Sequence, residues 1–538
     1  MLNRIVAAIA ACVLVSAAGI VSAAEPVAVQ LTIRADTPGA KIDANIYGQF
    51  MEHLGRNVYE GIWVGEDSPI PNTRGYRNDV LAALKKLHVP VLRWPGGCFA
   101  DEYHWRDGIG DRSKRPARVN TFWGGVIEPN TFGTHEFFEL AEMLGAKTYL
   151  AVNVGSGTVA EMSQWVEYIT SPSQSALANE RRANGRDKPW KLDYVGVGNE
   201  PWGCGGDFTA EDYATELRRY TAWVPSFDMQ LRYIAAGANS GDVEWTRRFF
   251  SQLTKDSPGM ARRLWGFSFH HYAWNVSSGR TTDWNEGKGP AVGFTTEQYY
   301  ELLRDADKMD GFIAAHWQAM GEFDKSRHVK LVVDEWGAWH KPGTEAHPSH
   351  TLGQTSTLRD ALLAGLTLDT FHRHADKVGM ANIAQLVNCL QSLFVAHEDK
   401  FIVTPNYDVF EMYMDHMGAQ AVRSQFSAPR VSYQRNGQPA TFWGLAGSAS
   451  RRGDKDVVVT VVNPSATDAR ATEIAVRGAK INSYAIRTLT APALDAHNSF
   501  EQPSAVTAPP DMTPDWKGEP LVLTLPKASV SRVLLKLA

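Results

Sequence analysis

Two glutamates stand out by where they fall in the chain. Glu200 follows the apolar run Tyr194 to Gly198, in Val197-Gly198-Asn199-Glu200-Pro201. Glu335 follows a second run, Leu331 to Val333, in Val332-Val333-Asp334-Glu335-Trp336-Gly337. A carboxylate at the end of so hydrophobic a segment is costly to bury unless it is paired or used. Two carboxylates ~5–5.5 Å apart can cleave a glycosidic bond with retention, one attacking the anomeric carbon and the other protonating the leaving oxygen. Either glutamate alone could instead pair with a loop arginine. That bland reading weakens when both sit at matched strand ends.

Other clusters carry less chemistry. His347-Pro348-Ser349-His350 with His340 lacks cysteine or carboxylate partners at ligand spacing and falls in a proline-containing loop, so no metal site is expected there. Gly155-Ser156-Gly157 has no following Gly-Lys-Ser/Thr and reads as a tight turn, not a phosphate cradle. No Gly-x-Ser-x-Gly elbow is present, which argues against a nucleophilic serine. The chain has 17 tryptophans, many beside glycine, proline or acidic residues. Most should serve the core, but aromatic faces also stack on sugar rings.

The elements that must position the glutamates follow from hydrophobic patterning. Eight short apolar runs occur between residues 45 and 415: Ile46 to Phe50, Val89 to Arg93, Thr148 to Val154, Tyr194 to Gly198, Tyr233 to Ala238, Phe267 to Tyr272, Leu331 to Val333 and Ala381 to Val387. They read as strands buried on both faces of a parallel sheet. Amphipathic segments lie between them. Asn78 to Leu87 puts Val80, Leu81, Leu84 and Leu87 on one stripe, while Thr209/Asp212 and Thr295/Gln298 have capping-box spacing. Eight uninterrupted alternations predict an α/β fold, a (β/α)8 TIM barrel, whose strands four and seven face each other across the mouth. After residue 415 the period changes to two, as in Asp456 to Val462 and Ser529 to Leu537, with turn-rich connections. This predicts an all-β sandwich over 416–538. Val27 to Ile33 also alternates, so the segment 24–44 is expected to contribute a strand to that sandwich, and Glu501 to Trp516 to form a loop.

Residues 1–23 read as a signal peptide. Arg4 precedes the apolar stretch Ile5 to Ile20, and small residues around Val21-Ser22-Ala23 suit cleavage. A lipoprotein signal ending at Cys12 would leave too short an apolar core. Export to the periplasm or the medium is therefore expected, with no membrane span. The formal charge of −5 without a basic tract makes nucleic acid a poor partner. Apart from Cys12 there are three cysteines, too few for a disulfide framework. Cys98 and Cys204 belong to loops over the same mouth, and in an exported protein they should bridge, leaving Cys389 free and buried.

Longer stretches narrow the reading. Gly48-Gln49-Phe50-Met51-Glu52-His53-Leu54-Gly55, Arg93-Trp94-Pro95-Gly96-Gly97-Cys98-Phe99, Gly133-Thr134-His135-Glu136-Phe137, Asn153-Val154-Gly155-Ser156-Gly157-Thr158 and Asn382-Ile383-Ala384-Gln385-Leu386-Val387-Asn388 resemble the α-L-arabinofuranosidases of glycoside hydrolase family 51. The similarity runs from about residue 30 to the C-terminus, dense in the barrel and thin beyond it. The resemblance implies a retaining exo-enzyme needing no cofactor, acting on arabinofuranosyl-containing saccharides, and often a homo-oligomer. It implies Glu200 as acid/base, Glu335 as nucleophile, and Glu52, Asn199 and Gln385 as ligands of sugar hydroxyls. Arg93 would fix the site's negative charge, Tyr272 would hold Glu335 with His270 beside it, and Trp123 and Trp339 would form aromatic walls. Many members carry asparagine where this chain has Cys98, and a thiol is a poor hydrogen-bonding group at that substrate-facing position. The competing expectations are an endo-acting glucanase or xylanase on the same barrel, and a non-catalytic saccharide-binding protein.

Overall fold

A computed structural model describes residues 29–227, 229–274, 287–516, 518 and 520–538. Eight parallel strands close into a barrel: Gly48–Phe50, Val91–Trp94, Lys147–Val152, Tyr194–Val197, Arg232–Asn239, Leu264–Ala273, Lys330–Ala338 and Val378–Ala384. The eight apolar runs are these strands, with ends shifted by a few residues. The largest shift is in the seventh. It does not stop at Val333 but runs on to Ala338, because Glu335, Trp336 and Gly337 pair with His270, His271 and Tyr272 of the sixth. Glu335 is thus held inside a ladder and not on a loop.

Inside the barrel, below the mouth, Val91, Tyr149, Tyr194, Ile234, Val332 and Met380 form a small core of their own. The outer helices bury the expected stripes, such as Val80, Leu81 and Leu84 of Asn78–Lys86. Thr295 and Gln298 form both halves of a capping box at the start of helix Thr296–Met320. At Thr209 only one half forms: its hydroxyl accepts from Asp212 N, while the Asp212 carboxylate takes the Thr209 hydroxyl and not its backbone.

The second unit is an eight-stranded sheet ordered Ile481–Thr490, Ser529–Leu537, Asp456–Asn463, Ala446–Arg452, Gln420–Ser427, Val29–Lys41, Arg470–Val476 and Leu521–Leu525. Its inner face is one apolar core that includes Leu31, Ile33, Val459, Ile474, Leu523 and Val533. The strand Val29–Lys41 lies in the interior of this sheet, antiparallel to 420–427 and parallel to 472–476. Asp456–Asn463 is buried on both faces. Val457, Val459 and Val461 enter the sheet core, whereas Thr460 and Val462 meet the barrel. There Asp369, on helix Leu358–Arg373, accepts hydrogen bonds from Ser448, Thr460 and Tyr413. A buried carboxylate so fully supplied with donors locks the two units in register. No helix among the described residues is long and apolar enough to cross a membrane.

Candidate active site

The barrel mouth holds a cavity of about 550 Å³. Its wall includes Glu52, Cys98, Trp123, Glu200, His270, Tyr272, Glu335, Trp339 and Gln385. Of the residues expected at the site from sequence, only Arg93 and Asn199 are missing from the wall. Both are buried directly behind it.

Glu200 is aimed by a sharp reversal after the fourth strand. Gly198 has φ +85° and Glu200 itself φ +36°. A non-glycine residue in the left-handed region costs of order 1 kcal/mol or more and persists only where its surroundings hold it. Here His270 Nδ1 donates to Glu200 Oε1 at 2.8 Å. Burial raises the pKa of Glu200. The charge of Glu335 adds to that effect, and His270 opposes it.

Glu335 is held from two sides. Arg93 Nη1 donates to its Oε1 and Tyr272 OH to its Oε2, each at 2.8 Å. Arg93 also donates to Asn199 Oδ1 at 2.7 Å and to the Asp334 carbonyl at 3.2 Å, and it packs 4.2 Å from the Phe50 ring centroid. Gly97 lies against the carboxylate: a Cβ there would stand 2.7 Å from Glu335 Oε1. Oxygens of Glu200 and Glu335 lie within 4.8 Å of each other, with His270 between them.

His270 and Asp334 support this pair. His270 Nε2 is 3.0 Å from Asp334 Oδ1, and Nδ1 is 3.5 Å from Glu335 Oε2. Burial alone would lower the His270 pKa, but the charges of Glu335 and Asp334 outweigh it and hold the imidazolium up to about 10. Burial works against Asp334 as well, yet Arg93 and His270 hold its carboxyl down to about 2. Tyr149 OH donates to its other oxygen at 2.6 Å. With a proton on each nitrogen, His270 can donate to Glu200 from Nδ1 and to Asp334 from Nε2 at once.

Glu52 has a different environment. Its Oε1 accepts from Gly97 N, Phe99 N and Trp123 Nε1, and its Oε2 from Gln385 Nε2. Burial, and next the charge of Glu335, push it up to about 7 despite these donors. Trp123 is therefore both wall and clamp, on the hairpin formed by Arg118–Asn120 and Val126–Glu128. Trp339 meets Tyr272 edge-on at 5.2 Å.

Cys98 and Cys204 form the expected bridge, with Cα atoms 5.4 Å apart, and Cys389 is free and buried. The bridge ties the loop after the second strand to the loop after the fourth and sets Cys204 Sγ 3.6 Å from Glu200 Oε2. As a disulfide sulfur it has no proton to give, so Cys98 and Cys204 shape the wall and do not donate to it. The histidine segment divides: His340 pairs with Asp360 at 2.7 Å in the interior, while His350 meets His397 at 3.3 Å.

Sequence reasoning missed Asp334, Asp101, Phe122, Trp202 and Trp274. Asp334 had a usable signal, an acidic residue inside an apolar strand run. Asp101 is buried and pushed up to about 7 by burial, while accepting from Val154 N and Gly155 N. Nothing in its local sequence marks it.

A parallel barrel with two hydrogen-bonded glutamates, one buried and one part-buried, at the ends of strands four and seven defines a barrel glycoside hydrolase. Family models of the α-L-arabinofuranosidase 1 domain and the α-L-arabinofuranosidase C-terminal domain match residues 83–288 and 334–529. An intracellular exo-α-L-arabinofuranosidase of Bacteroides ovatus is 44% identical over 484 residues, 89% of this chain and 90% of that one. The crystal structure of the family 51 arabinofuranosidase from Xanthomonas axonopodis pv. citri superposes with a TM-score of 0.86 at 41% identity, covering 94% of this chain and 100% of the other. That of the Thermotoga maritima α-L-arabinofuranosidase arabinose complex gives 0.80 at 29% identity, over 94% and 100%. The chain belongs to the α-L-arabinofuranosidases of glycoside hydrolase family 51.

One expectation is overturned. The Bacteroides relative is named an intracellular enzyme, which contradicts the export read from the first residues. An alanine-rich apolar run with one arginine is a matter of composition, and it does not decide the compartment against a relative matched over nine-tenths of its length. Residues 1–28, which carry that reading, lie outside the described residues. The oxidising compartment thus drops out as a reason for the Cys98–Cys204 bridge, leaving the proximity of the two loops.

Proposed function

We propose that this enzyme is an exo-acting, retaining α-L-arabinofuranosidase that removes terminal non-reducing arabinofuranosyl units from polysaccharides or oligosaccharides, with Glu335 as nucleophile and Glu200 as acid/base. The observation that carries the reading is the approach of the two carboxylates, with oxygens within 4.8 Å. That is close to the ~5–5.5 Å of retaining enzymes and well short of the ~6.5–9.5 Å that leaves room for an attacking water. The raised pKa of Glu200 suits proton delivery to the leaving oxygen as Glu335, aligned by Arg93 and Tyr272, attacks the anomeric carbon. Once the glycosyl–enzyme bond has formed, the charge of Glu335 is gone and with it one of the causes raising Glu200. Glu200 can then ionise and take a proton from the incoming water, while His270 follows both states by hydrogen bonding. Asn199, oriented by Arg93, serves the sugar's 2-hydroxyl. Glu52 and Gln385, which hold each other, serve the remaining ring hydroxyls. The walls formed by Trp123 and Trp339 around about 550 Å³ favour a pocket for one terminal unit over an endo-acting cleft.

The test uses two variants. Glu335→Ala should lose nearly all turnover on every substrate. Glu200→Ala should still expel dinitrophenol, stall at deglycosylation, and recover rate with azide to give a product of retained configuration. An inverted product from the native enzyme would refute the nucleophile assignment.

A further inference from the structure

We propose a second saccharide-binding site at the seam between the barrel and the β-domain, which holds the part of the substrate left behind when the terminal arabinofuranosyl unit is cut. It rests on the reading of the active site given above.

A cavity of about 990 Å³, larger than the active pocket, lies between helices Thr296–Met320 and Leu358–Arg373 and strand Gln420–Ser427. Lys308 and Phe312 line both it and the active pocket, so the two meet at these side chains. On its far side Arg304, Asp307 and Arg430 are shared with a further hollow of about 760 Å³ along the hairpin formed by Val431–Arg435 and Gln438–Phe442. Three adjoining hollows, divided from one another by these shared side chains, therefore run from the pocket of Glu200 and Glu335, past one barrel helix, to the β-domain.

The chemistry of these hollows fits a sugar chain. A pyranose or furanose presents an apolar C–H face and a rim of hydroxyls, and is held by an aromatic plate edged with planar polar groups. Trp443 supplies the plate. It is 41% exposed, its Nε1 donates to Asp307 Oδ2 at 2.8 Å and the Arg430 guanidinium sits over its ring, 4.8 Å from the centroid, so the indole is fixed and one of its faces is taken by Arg430. Arg304, Arg373 and Asp310 supply planar donors and acceptors on the adjoining walls. Adjacency to the pocket selects the occupant, because an enzyme that accepts one terminal unit must leave the rest of a long substrate lying outside its mouth.

The experiment compares Trp443→Ala and Arg430→Ala with the native enzyme on an aryl arabinofuranoside, which reaches only the pocket, and on an arabinose-substituted polysaccharide. Both variants should keep kcat and KM within twofold on the aryl substrate. On the polymer, KM should rise 5- to 20-fold with kcat unchanged. Arg430→Ala covers the case in which Trp443→Ala fails to fold, and thermal melting identifies that case. Equal KM values on the polymer would overturn the proposal. So would a variant whose only change is its assembly mass in sedimentation, which would make this face a contact between copies of the chain. A native enzyme inactive on both substrates would remove the active-site reading itself, an outcome distinct from an unchanged polymer KM.

Discussion

Replacing Asp334 by asparagine keeps its shape and removes one negative charge from beneath the proposed nucleophile. The native carboxyl titrates near 2 instead of 3.8, because Arg93 and His270 outweigh its burial. The drop from 3.8 to about 2, at ~1.4 kcal/mol per pH unit, is roughly 2–3 kcal/mol in favour of the charged form. The folded pKa is depressed, so this stability is fully present above pH 4 and is lost as pH falls toward 2. By the same linkage about half of it remains at pH 3. Asp334→Asn should therefore be less stable than the native protein by roughly 2–3 kcal/mol at pH 6–7, with the gap narrowing to about half at pH 3. Urea denaturation at the two pH values reads both numbers. The larger displacement of His270, from 6.5 up to about 10, has Glu335 and Glu200 behind it as well as Asp334, so the two shifts share one interaction and are not added. The substitution should also pull the His270 titration downward and bring a new ionisation into the alkaline side of the kcat/KM profile. A stability gap independent of pH, together with an unchanged alkaline limb, would refute the assignment of Asp334 as the charge that holds His270.

Glu52→Gln should act in the opposite sense. A carboxyl raised from 4.5 to about 7 loses stability as pH rises through that window, by about 3 kcal/mol in total, so the variant should be more stable than native at pH 8 and level with it below pH 4.5, while activity falls. Urea midpoints at the two pH values check this, and equal midpoints at pH 8 would contradict it. Gly97→Ala places a methyl group 2.7 Å from Glu335 Oε1 and should cost at least ~10²-fold in kcat/KM with little change in melting temperature. Native-level activity would mean that Glu335 does not need its present position.

Much of this was legible in the chain because strands buried on both faces leave continuous apolar runs, and eight of them punctuated by helices allow few architectures. The proposed catalytic pair was legible because both glutamates follow such runs. The support behind the pair was not. Arg93 and Glu335 are 242 residues apart, as are Glu52 and Gln385 by 333, and no local pattern encodes such contacts. Resemblance supplied those four, but not Asp334, whose charge matters only because the extended seventh strand sets it against His270. Trp123 was expected as a wall. Its indole N–H on Glu52 depends on how the hairpin folds back, which composition does not reveal. The hollows at the seam were invisible for a related reason, since their walls come from a barrel helix and a β-domain loop that meet only after both units have folded.

The position of strand Val29–Lys41 inside the β-domain sheet has a consequence for how the chain is made. Its partner Gln420–Ser427 begins 379 residues later (420 minus 41). At ~5–20 residues per second, translation takes roughly 20–75 s to deliver that partner. Throughout that time the nascent chain trails a strand with Leu31 and Ile33 on one face and unpaired backbone on both edges, the kind of surface that recruits other chains. The barrel can assemble as its eight strands emerge. The β-domain sheet has to wait for its strands from Gln420–Ser427 to Ser529–Leu537 to leave the ribosome.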